Sequence, residues 1–418
     1  MDTNRAIATN ILRLLDERNI PATDLAQHLG VTRQTLTNYL KGISIVDSVK
    51  LVQIASFFNV SLDELINEKS EQVPAILFRS VLNYEVATDD FSDSILEYIN
   101  RYVELAKSIN RNICFIPEQY NLSVQYQGSL INVNYECSDY SAPKLVLDEE
   151  LEVEIERIAD EQRRLIGMED KGALSIISAL TQRGINIFFK DFCTSDISGL
   201  SVCDDTRGCY IFINDNAEIS VERKLFTIAH EYAHIILHRP LYKRRIKQYL
   251  SSSKKKNLLD SMADCFAGYF LCPRKLLLLY NSTLQNFNSL TELFPVKKDL
   301  QISLSSLMMG MKRYGYINYA TLSSYFAYLK KNGIDKIELE PISNDETFQK
   351  KYELAKTAAI IKMLKTAFYR DILKIEDFKF FINLPDQRAE EYLKEWQSEK
   401  SNGEKVSARF GDLIVKQQ

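Results

Sequence analysis

Apolar residues recur along the chain with two different periods, and the change of period separates its parts. Through residue 68 they form short runs with helical spacing, and residues 91–109 and 149–163 keep this spacing over longer stretches. Residues 185–189, 198–202 and 209–213 are instead short apolar runs, the last two separated by turn residues, as expected of the strands of a small antiparallel sheet. Helical spacing then returns. The pattern predicts a multidomain protein with an all-α N-terminal domain, an α+β middle domain and helical extensions.

Changes of composition suggest where these parts begin and end. A polar stretch follows residue 68, and residues 111–147 are rich in Tyr and Asn with partial alternation, which favours weak strands. We divide the chain into 1–68, a linker helix and weak-strand segment over 69–147, the α+β core over 148–285, a helical extension over 286–344, and a C-terminal helical region over 345–418. The sequence gives no role for the last region.

The N-terminal segment contains two short helices joined by a tight turn. Thr23 is expected to cap the first helix, Gly30 to end it, and Thr32 to cap the second, which begins at Arg33. Two helices joined in this way form a helix-turn-helix, whose second helix reads bases in the major groove with its N-terminal residues. The candidate DNA-binding side chains are Thr32, Arg33, Gln34, Thr37 and Asn38.

This segment resembles the Xre/lambda-repressor-like family in the runs LAQHLGVTRQTLTNYLKG and VKLVQIASFFNVSLDELI. The resemblance implies a double-stranded DNA operator as partner. Gln34 and Asn38 suit adenine, and Arg33 suits guanine or phosphate. Residues 1–68 hold six basic and eight acidic side chains, a net charge of −2, so electrostatic affinity should be modest and binding as a homodimer is expected. A helical bundle that binds only protein remains the alternative.

The most informative stretch is Phe226–Pro240, FTIAHEYAHIILHRP, which contains an H-E-x-x-H sequence. Ser220 is a possible N-cap and Pro240 a stop for this predicted helix. His230 and His234 lie a turn apart on one face, where two imidazoles can share a metal, usually zinc. Glu231 lies beside that face, where it can act as a general base. The alternative is a chance occurrence of the motif.

His238 and two downstream carboxylates are the further candidates at this site. His238 lies two turns, roughly 12 Å, beyond His230 along a straight helix, so we assign it a supporting or structural role and not a ligand role. Asp260 and Asp264 are spaced i, i+4 on a second apolar helix. One carboxylate could complete the metal site, and the other could accept the free N–H of a ligand imidazole. The alternative is that neither carboxylate serves the metal site: one is favoured by the helix dipole at the N-terminus of this helix, and the other is solvated.

Together, the two helices resemble the ImmA/IrrE family of zinc metallopeptidases. The first matches the family's F-T-x-A-H-E-x-x-H helix, and ADCFAGYFLCP, which follows Asp260, matches its second motif. The resemblance implies a zincin-like fold with His230, His234 and Asp260 as zinc ligands, Glu231 as catalytic residue and Asp264 as the Asn/Asp a turn later. The third ligand is Asp where the family has Glu, so the second helix must come closer. Met262 replaces another acidic residue.

Composition limits the compartment and the partners. The net charge of −4 gives no general attraction to nucleic acid or membrane. No apolar run approaches the ~20 residues of a membrane span, so we expect no membrane partner and a cytoplasmic location. Seven scattered cysteines without a C-x-x-C pair are expected to be free thiols in a reducing compartment.

Tyr210–Ile213 could be an edge strand on which a peptide substrate pairs, or an internal strand.

These features predict a DNA-binding transcriptional regulator with a zinc-dependent endopeptidase domain. The resemblance implies a narrow protein substrate, a helix-turn-helix repressor whose cleavage relieves transcription of stress or mobile-element genes. The alternative is a transcription factor whose peptidase-like domain is inactive and serves as a sensing or scaffolding module.

Overall fold

The computed structural model divides the chain into two compact units, Met1–Val73 and Pro74–Gln418. Each unit is described by itself. The structure describes residues 20–41, 44–58, 76–78, 89–126, 129–133, 147–193, 197–240, 258–334, 337–382 and 390–401, together with residues 7, 8, 10–12, 14, 15, 60, 62, 65 and 195.

The first unit is helical, as its sequence predicts. Its helices with defined bounds are α1 (Ala22–Leu29), α2 (Arg33–Leu40) and α3 (Ser48–Phe57). Their apolar faces share one core, whose fully buried members include Leu25, Leu29, Leu36, Ile54 and Phe58.

The chemistry of the caps decides where these helices begin and end. Gly30 ends α1 in the left-handed conformation with φ of 62°, and the Thr32 hydroxyl accepts the N–H of Thr35 at the start of α2. Both assignments are confirmed. The capping role of Thr23 was wrong, because α1 already begins at Ala22 after Pro21 and the Thr23 hydroxyl donates to Asp24.

The second unit is organised around a four-stranded sheet with the order β1-β5-β6-β4. Its strands are β1 (Ile76–Phe78), β4 (Asn186–Lys190), β5 (Gly199–Asp204) and β6 (Gly208–Asn214), while β2 (Ser123–Tyr126) and β3 (Ser129–Asn132) form a separate hairpin. Strand β5 pairs antiparallel with β1 and β6, whereas β4 and β6 are parallel. The sheet is therefore mixed, where the sequence suggested an antiparallel one. Tyr210–Ile213 lies in the internal strand β6, so it cannot be the edge that receives a peptide.

Helices cover both faces of this sheet. Their bounds are α4 (Asp89–Ser108), α5 (Glu149–Leu165), α6 (Ser175–Arg183), α7 (Val221–Leu237), α8 (Leu258–Leu271), α9 (Arg274–Leu278), α10 (Asn281–Asn286), α11 (Phe294–Leu300), α12 (Leu304–Arg313), α13 (Tyr319–Lys331), α14 (Glu346–Tyr369) and α15 (Ile375–Ile382). Two 3-10 turns, Leu290–Leu293 and Ile342–Asn344, and helical residues 390–401 complete the described elements. None of the described helices combines the length and hydropathy that a bilayer crossing needs.

The alternation of side chains along the strands assigns each face to its own core. Cys203, Cys209 and Ile211 belong to the core that also contains α7, α8, α5 and α6. Leu200 and Phe212 point the other way, into a second core with α4, α14, α15 and Trp396. The C-terminal helices and the linker helix therefore cover one face of the sheet, and the H-E-x-x-H helix packs on the opposite face.

Two cysteines on adjacent strands are bonded to each other. Cys203 and Cys209 are cross-strand partners with a Cα–Cα distance of 4.3 Å and form a disulfide. The expectation of free thiols was therefore wrong for this pair, because the β5–β6 turn brings together two cysteines that are six residues apart. Cys114, Cys193, Cys265 and Cys272 are free thiols.

Candidate metal centre and DNA-reading helix

Helix α7 forms as its sequence predicts and is buried on almost every side. The Ser220 hydroxyl caps it by accepting the N–H of Arg223, and it ends at Leu237, before Pro240. Its apolar stripe, which includes Leu225 and Ile236, is fully buried. Because polar groups in such a helix lose their contact with water, its histidines and Glu231 need partners within the fold.

His230, His234 and Asp260 converge at one point between α7 and α8. The two Nε2 atoms of the histidines lie 3.0 Å apart, and Asp260 Oδ1 lies 3.6 Å from His234 Nε2. One candidate ligand atom from each of the three residues lies within 4.8 Å of the others. Two imidazole nitrogens and a carboxylate oxygen on three side chains are the donor set of a catalytic zinc site, so the residues present fit such an ion.

The outer ring nitrogens of both histidines are held by neighbouring side chains. His230 Nδ1 lies 2.7 Å from Asp264 Oδ1, and His234 Nδ1 lies 2.8 Å from His238 Nδ1. The Asp264 carboxylate accepts the N–H of His230, which leaves the Nε2 lone pair of His230 directed at the site. His234 presents its Nε2 lone pair in the same way only when its Nδ1–H donates to His238.

His238 is therefore a neutral neighbour of His234 and lies outside the converging set. Its side chain is fully buried, and this burial, together with the nearby His230, lowers its pKa to about 3. A neutral imidazole can accept a hydrogen bond through Nδ1, whereas an imidazolium cannot. These contacts agree with the supporting roles expected of Asp264 and His238, which stay predictions.

Glu231 lies next to the converging set and is held by a residue that the sequence did not single out. Its carboxylate is completely buried, and Oε2 accepts the Ser201 hydroxyl at 2.5 Å. Ser201 lies at the centre of β5 and is itself completely buried. A buried serine flanked by Leu200 and Val202 was the available signal, since a hydroxyl in an apolar strand needs a polar partner.

The small residues of α8 do not all face α7. Ala263 and Ala267 are completely buried, but Gly268 faces Arg313, whose guanidinium lies 2.7 Å from the position that a Cβ would occupy. Gly268 therefore makes room for α12 and does not bring α8 close to α7. Met262 is completely buried in the core around α7 and α8, which explains why an apolar residue suits that position.

In the first unit, the candidate DNA-binding residues form one continuous surface at the start of α2. Thr32, Arg33 and Gln34 are exposed, and Thr37 and Asn38 are partly exposed. Gln34 Nε2 donates to Asn38 Oδ1 at 3.3 Å, and the Thr37 hydroxyl donates to the Arg33 carbonyl at 2.8 Å. The two amide side chains thus lie next to each other on the exposed side of α2.

Lys50, a basic residue of α3, contacts the end of α1. Its ammonium group donates to the Leu29 carbonyl at 2.5 Å and to Gln53 Oε1 at 3.1 Å. It therefore ties α3 to the end of α1. Arg33 and Lys41 are the nearby basic residues for which no such carbonyl contact occurs among the described residues.

Comparison with known families agrees with both resemblances. Residues 180–309 match the profile of the IrrE N-terminal-like domain, a peptidase family, and residues 11–65 match that of a helix-turn-helix family. No curated protein and no solved structure is significantly similar to the chain. The first match contains β4–β6, α7 and α8, and the second contains α1–α3. The chain therefore carries an IrrE N-terminal-like peptidase domain in the same polypeptide as a helix-turn-helix domain.

Proposed function

We propose that this chain is a transcriptional regulator that binds operator DNA and is also a zinc-dependent endopeptidase. The convergence of His230, His234 and Asp260 beside the buried Glu231 carries the enzymatic part of the proposal. Zinc held by the three residues would polarise the scissile carbonyl and acidify a water molecule.

The remaining chemistry belongs to the chain's own side chains. Glu231 is outside the donor set, so its carboxylate would accept a proton from the attacking water and later pass it to the leaving amine. Ser201 would hold that carboxylate in place through its hydroxyl. Asp264 and His238 would keep His230 and His234 in the tautomers that ligation requires.

The regulatory part of the proposal rests on the helix-turn-helix domain. Arg33, Gln34 and Asn38 would read base edges, Thr32 and Thr37 would position α2, and two copies would bind a two-fold operator as a homodimer. The protein substrate would be a helix-turn-helix repressor, as the resemblance implies, with stress or mobile-element genes released by its cleavage.

The test compares the full-length protein with its Glu231→Gln variant in cells, because the substrate has not been identified. Glutamine keeps the size and hydrogen bonding of the side chain but removes the proton acceptor. We expect one cellular protein to be shortened in the presence of the wild type and to stay intact with the variant. The wild type and the Glu231→Gln variant should both retain metal and DNA binding. If the two proteins give the same transcripts and the same set of intact proteins, the domain is a sensing or scaffolding module.

A further inference from the structure

The strand next to Ser201 comes from a distant part of the chain. Residues Ile76–Phe78 form β1 and pair antiparallel with β5, with Leu77 directly opposite Ser201. Without β1, β5 would be the edge of a three-stranded sheet. The residues that match the peptidase family, 180–309, include the other three strands but not β1. The fourth strand therefore comes from outside the part of the chain that matches the peptidase family.

Strand β1 occupies the sheet edge nearest to Glu231. The Ser201 hydroxyl lies 2.5 Å from the Glu231 carboxylate, and paired strands lie about 5 Å apart, so the backbone at Leu77 runs one strand spacing from the residue that holds Glu231. An extended peptide that binds by strand addition uses main-chain hydrogen bonds to a free edge. Strand β6 is internal, so β5 is the strand beside Glu231 that such a peptide could use.

We infer that Ile76–Phe78 occupies the position in which an extended segment of a protein substrate pairs with β5, and that it competes with that substrate. This inference rests on the proposed peptidase function, since it names what regulates access to the same site. The competing segment follows the helix-turn-helix domain in the sequence, eleven residues after the last position that matches that family. Access to the peptidase site therefore requires release of the segment that connects it to the DNA-binding domain.

The length of β1 makes such release feasible. Three residues give only a short ladder, whereas the covalent connection gives the segment a local concentration of the order of millimolar. An external peptide then binds only to molecules in which β5 is free, so its apparent Kd rises in inverse proportion to the free fraction. A segment that is paired about 90–99% of the time would weaken external binding by about ten- to a hundredfold.

A binding experiment tests this without any catalysis. The probe is a fluorescent peptide with the sequence of residues 73–81, VPAILFRSV, and the protein is the full chain with Glu231→Gln. Ile76→Pro and Leu77→Pro are added singly, because successive residues of a strand direct their N–H groups to opposite sides and one of the two must face β5. We expect the variant in which proline removes the N–H that faces β5 to bind the probe about tenfold or more tightly than the parent protein. A probe with proline at the same position should not bind. Equal affinity for the parent and both proline variants would overturn the inference.

A crosslink provides a second test that does not depend on the proline variants folding. Phe78 and Leu200 are Cα partners, so Phe78→Cys/Leu200→Cys should form a disulfide on oxidation, identified by mass spectrometry of the linked peptides. Phe78→Cys/Val202→Cys is the matched control, with its partner displaced by two residues along β5. We expect the oxidised Phe78–Leu200 protein to lose probe binding and to regain it on reduction, with the parent protein reduced in parallel. Equal crosslinking of both pairs, or equal binding before and after reduction, would refute the assignment.

These outcomes are separate from those of the proposed function. Competition for β5 without Glu231-dependent cleavage in cells would retain the inference and reject the peptidase activity. Cleavage of another protein together with unchanged probe binding in every variant would do the reverse.

Discussion

The Ser201 hydroxyl donates to Glu231 Oε2 at 2.5 Å, and this hydrogen bond joins the centre of β5 to the H-E-x-x-H helix. Both side chains are completely buried. Strand β5 directs the Ser201 side chain towards this helix, and along the edge away from β6 it pairs with β1. The position of Glu231 is thus coupled to the sheet edge on which we expect a substrate to lie.

Ser201→Ala should lower cleavage without removing metal. A hydrogen bond to a charged group contributes about 1.5–3 kcal/mol, so we expect roughly a ten- to hundredfold loss, smaller than that of Glu231→Gln. The loss should appear in kcat with KM little changed, because the hydroxyl positions the base and does not bind the substrate. Kinetics on the cleaved protein identified in cells, with metal content measured in parallel, checks this. Ser178→Ala, which removes an exposed hydroxyl, is the control. An unchanged kcat would show that Glu231 needs no support from β5.

Metal binding should depend on the three converging residues and much less on their neighbours. We expect about one zinc ion per chain, lost in His234→Ala and Asp260→Ala and largely retained in His238→Ala. Asp264→Asn should weaken binding by about ten- to a hundredfold, because the neutral amide is a poorer acceptor for the N–H of His230. Metal analysis of the purified proteins and competition with a chelator provide the measurement.

His28→Ala is the control for this series, because His28 is an exposed histidine of the other unit. Loss of metal in His238→Ala with full retention in Asp260→Ala would show that the ligand set is wrong.

Local patterns were sufficient to predict α7 and α8 and to place the candidate site residues on these helices. Helical spacing placed His230 and His234 on one face, and the same spacing placed Asp260 and Asp264 on α8. Each of these pairs depends on residues only a turn apart. The choice between Asp260 and Asp264 followed from the family resemblance, because periodicity alone treats the two carboxylates alike.

Long-range pairing is where prediction from the sequence ended. The parallel register of β4 with β6 and the arrival of β1 beside β5 depend on contacts between residues far apart in the chain. The same holds for the C-terminal helices, where Trp396 and Phe378 pack in one core with Phe212 of β6. A hydrophobic pattern shows that such faces are buried but not which partner buries them.

Sequence recognition should depend on Gln34. If its amide reads a base edge, Gln34→Ala should cost about 1–3 kcal/mol of binding free energy and relax the preference at one position of the site. We expect a two-fold operator with half-sites about 34 Å apart, found by selection from a random DNA pool. Gln349→Ala, in the other unit, serves as the control. If residues 1–68 select no sequence even when artificially dimerised, the domain binds protein and not DNA.

The buried ammonium of Lys297 should be a strong determinant of stability. It is completely buried and lies 2.5 Å from Glu338 Oε1 and 3.4 Å from Glu222 Oε1, in the first turn of α7. Lys297→Met keeps the length of the side chain but leaves the buried carboxylates without their cation. Removing one partner of a buried ion pair costs about 3–5 kcal/mol, and we expect a loss of this size in denaturant unfolding. Lys298→Met is the matched control, because that lysine is 43% exposed and its pair with Glu340 should contribute less than about 1 kcal/mol.

The dependence of this loss on pH distinguishes the charge effect from a packing effect. Burial already raises the pKa of Glu338, while the hydrogen bond from Lys297 lowers it, so Lys297→Met should raise that pKa further. A carboxyl whose pKa is higher in the folded than in the unfolded state binds more protons when folded, so its protonation stabilises the fold as pH falls. The deficit of Lys297→Met should therefore be largest above the raised pKa and smallest below the unfolded value of about 4.5. A deficit that stays constant between pH 8 and pH 4.5 would mean that Lys297 acts through packing alone.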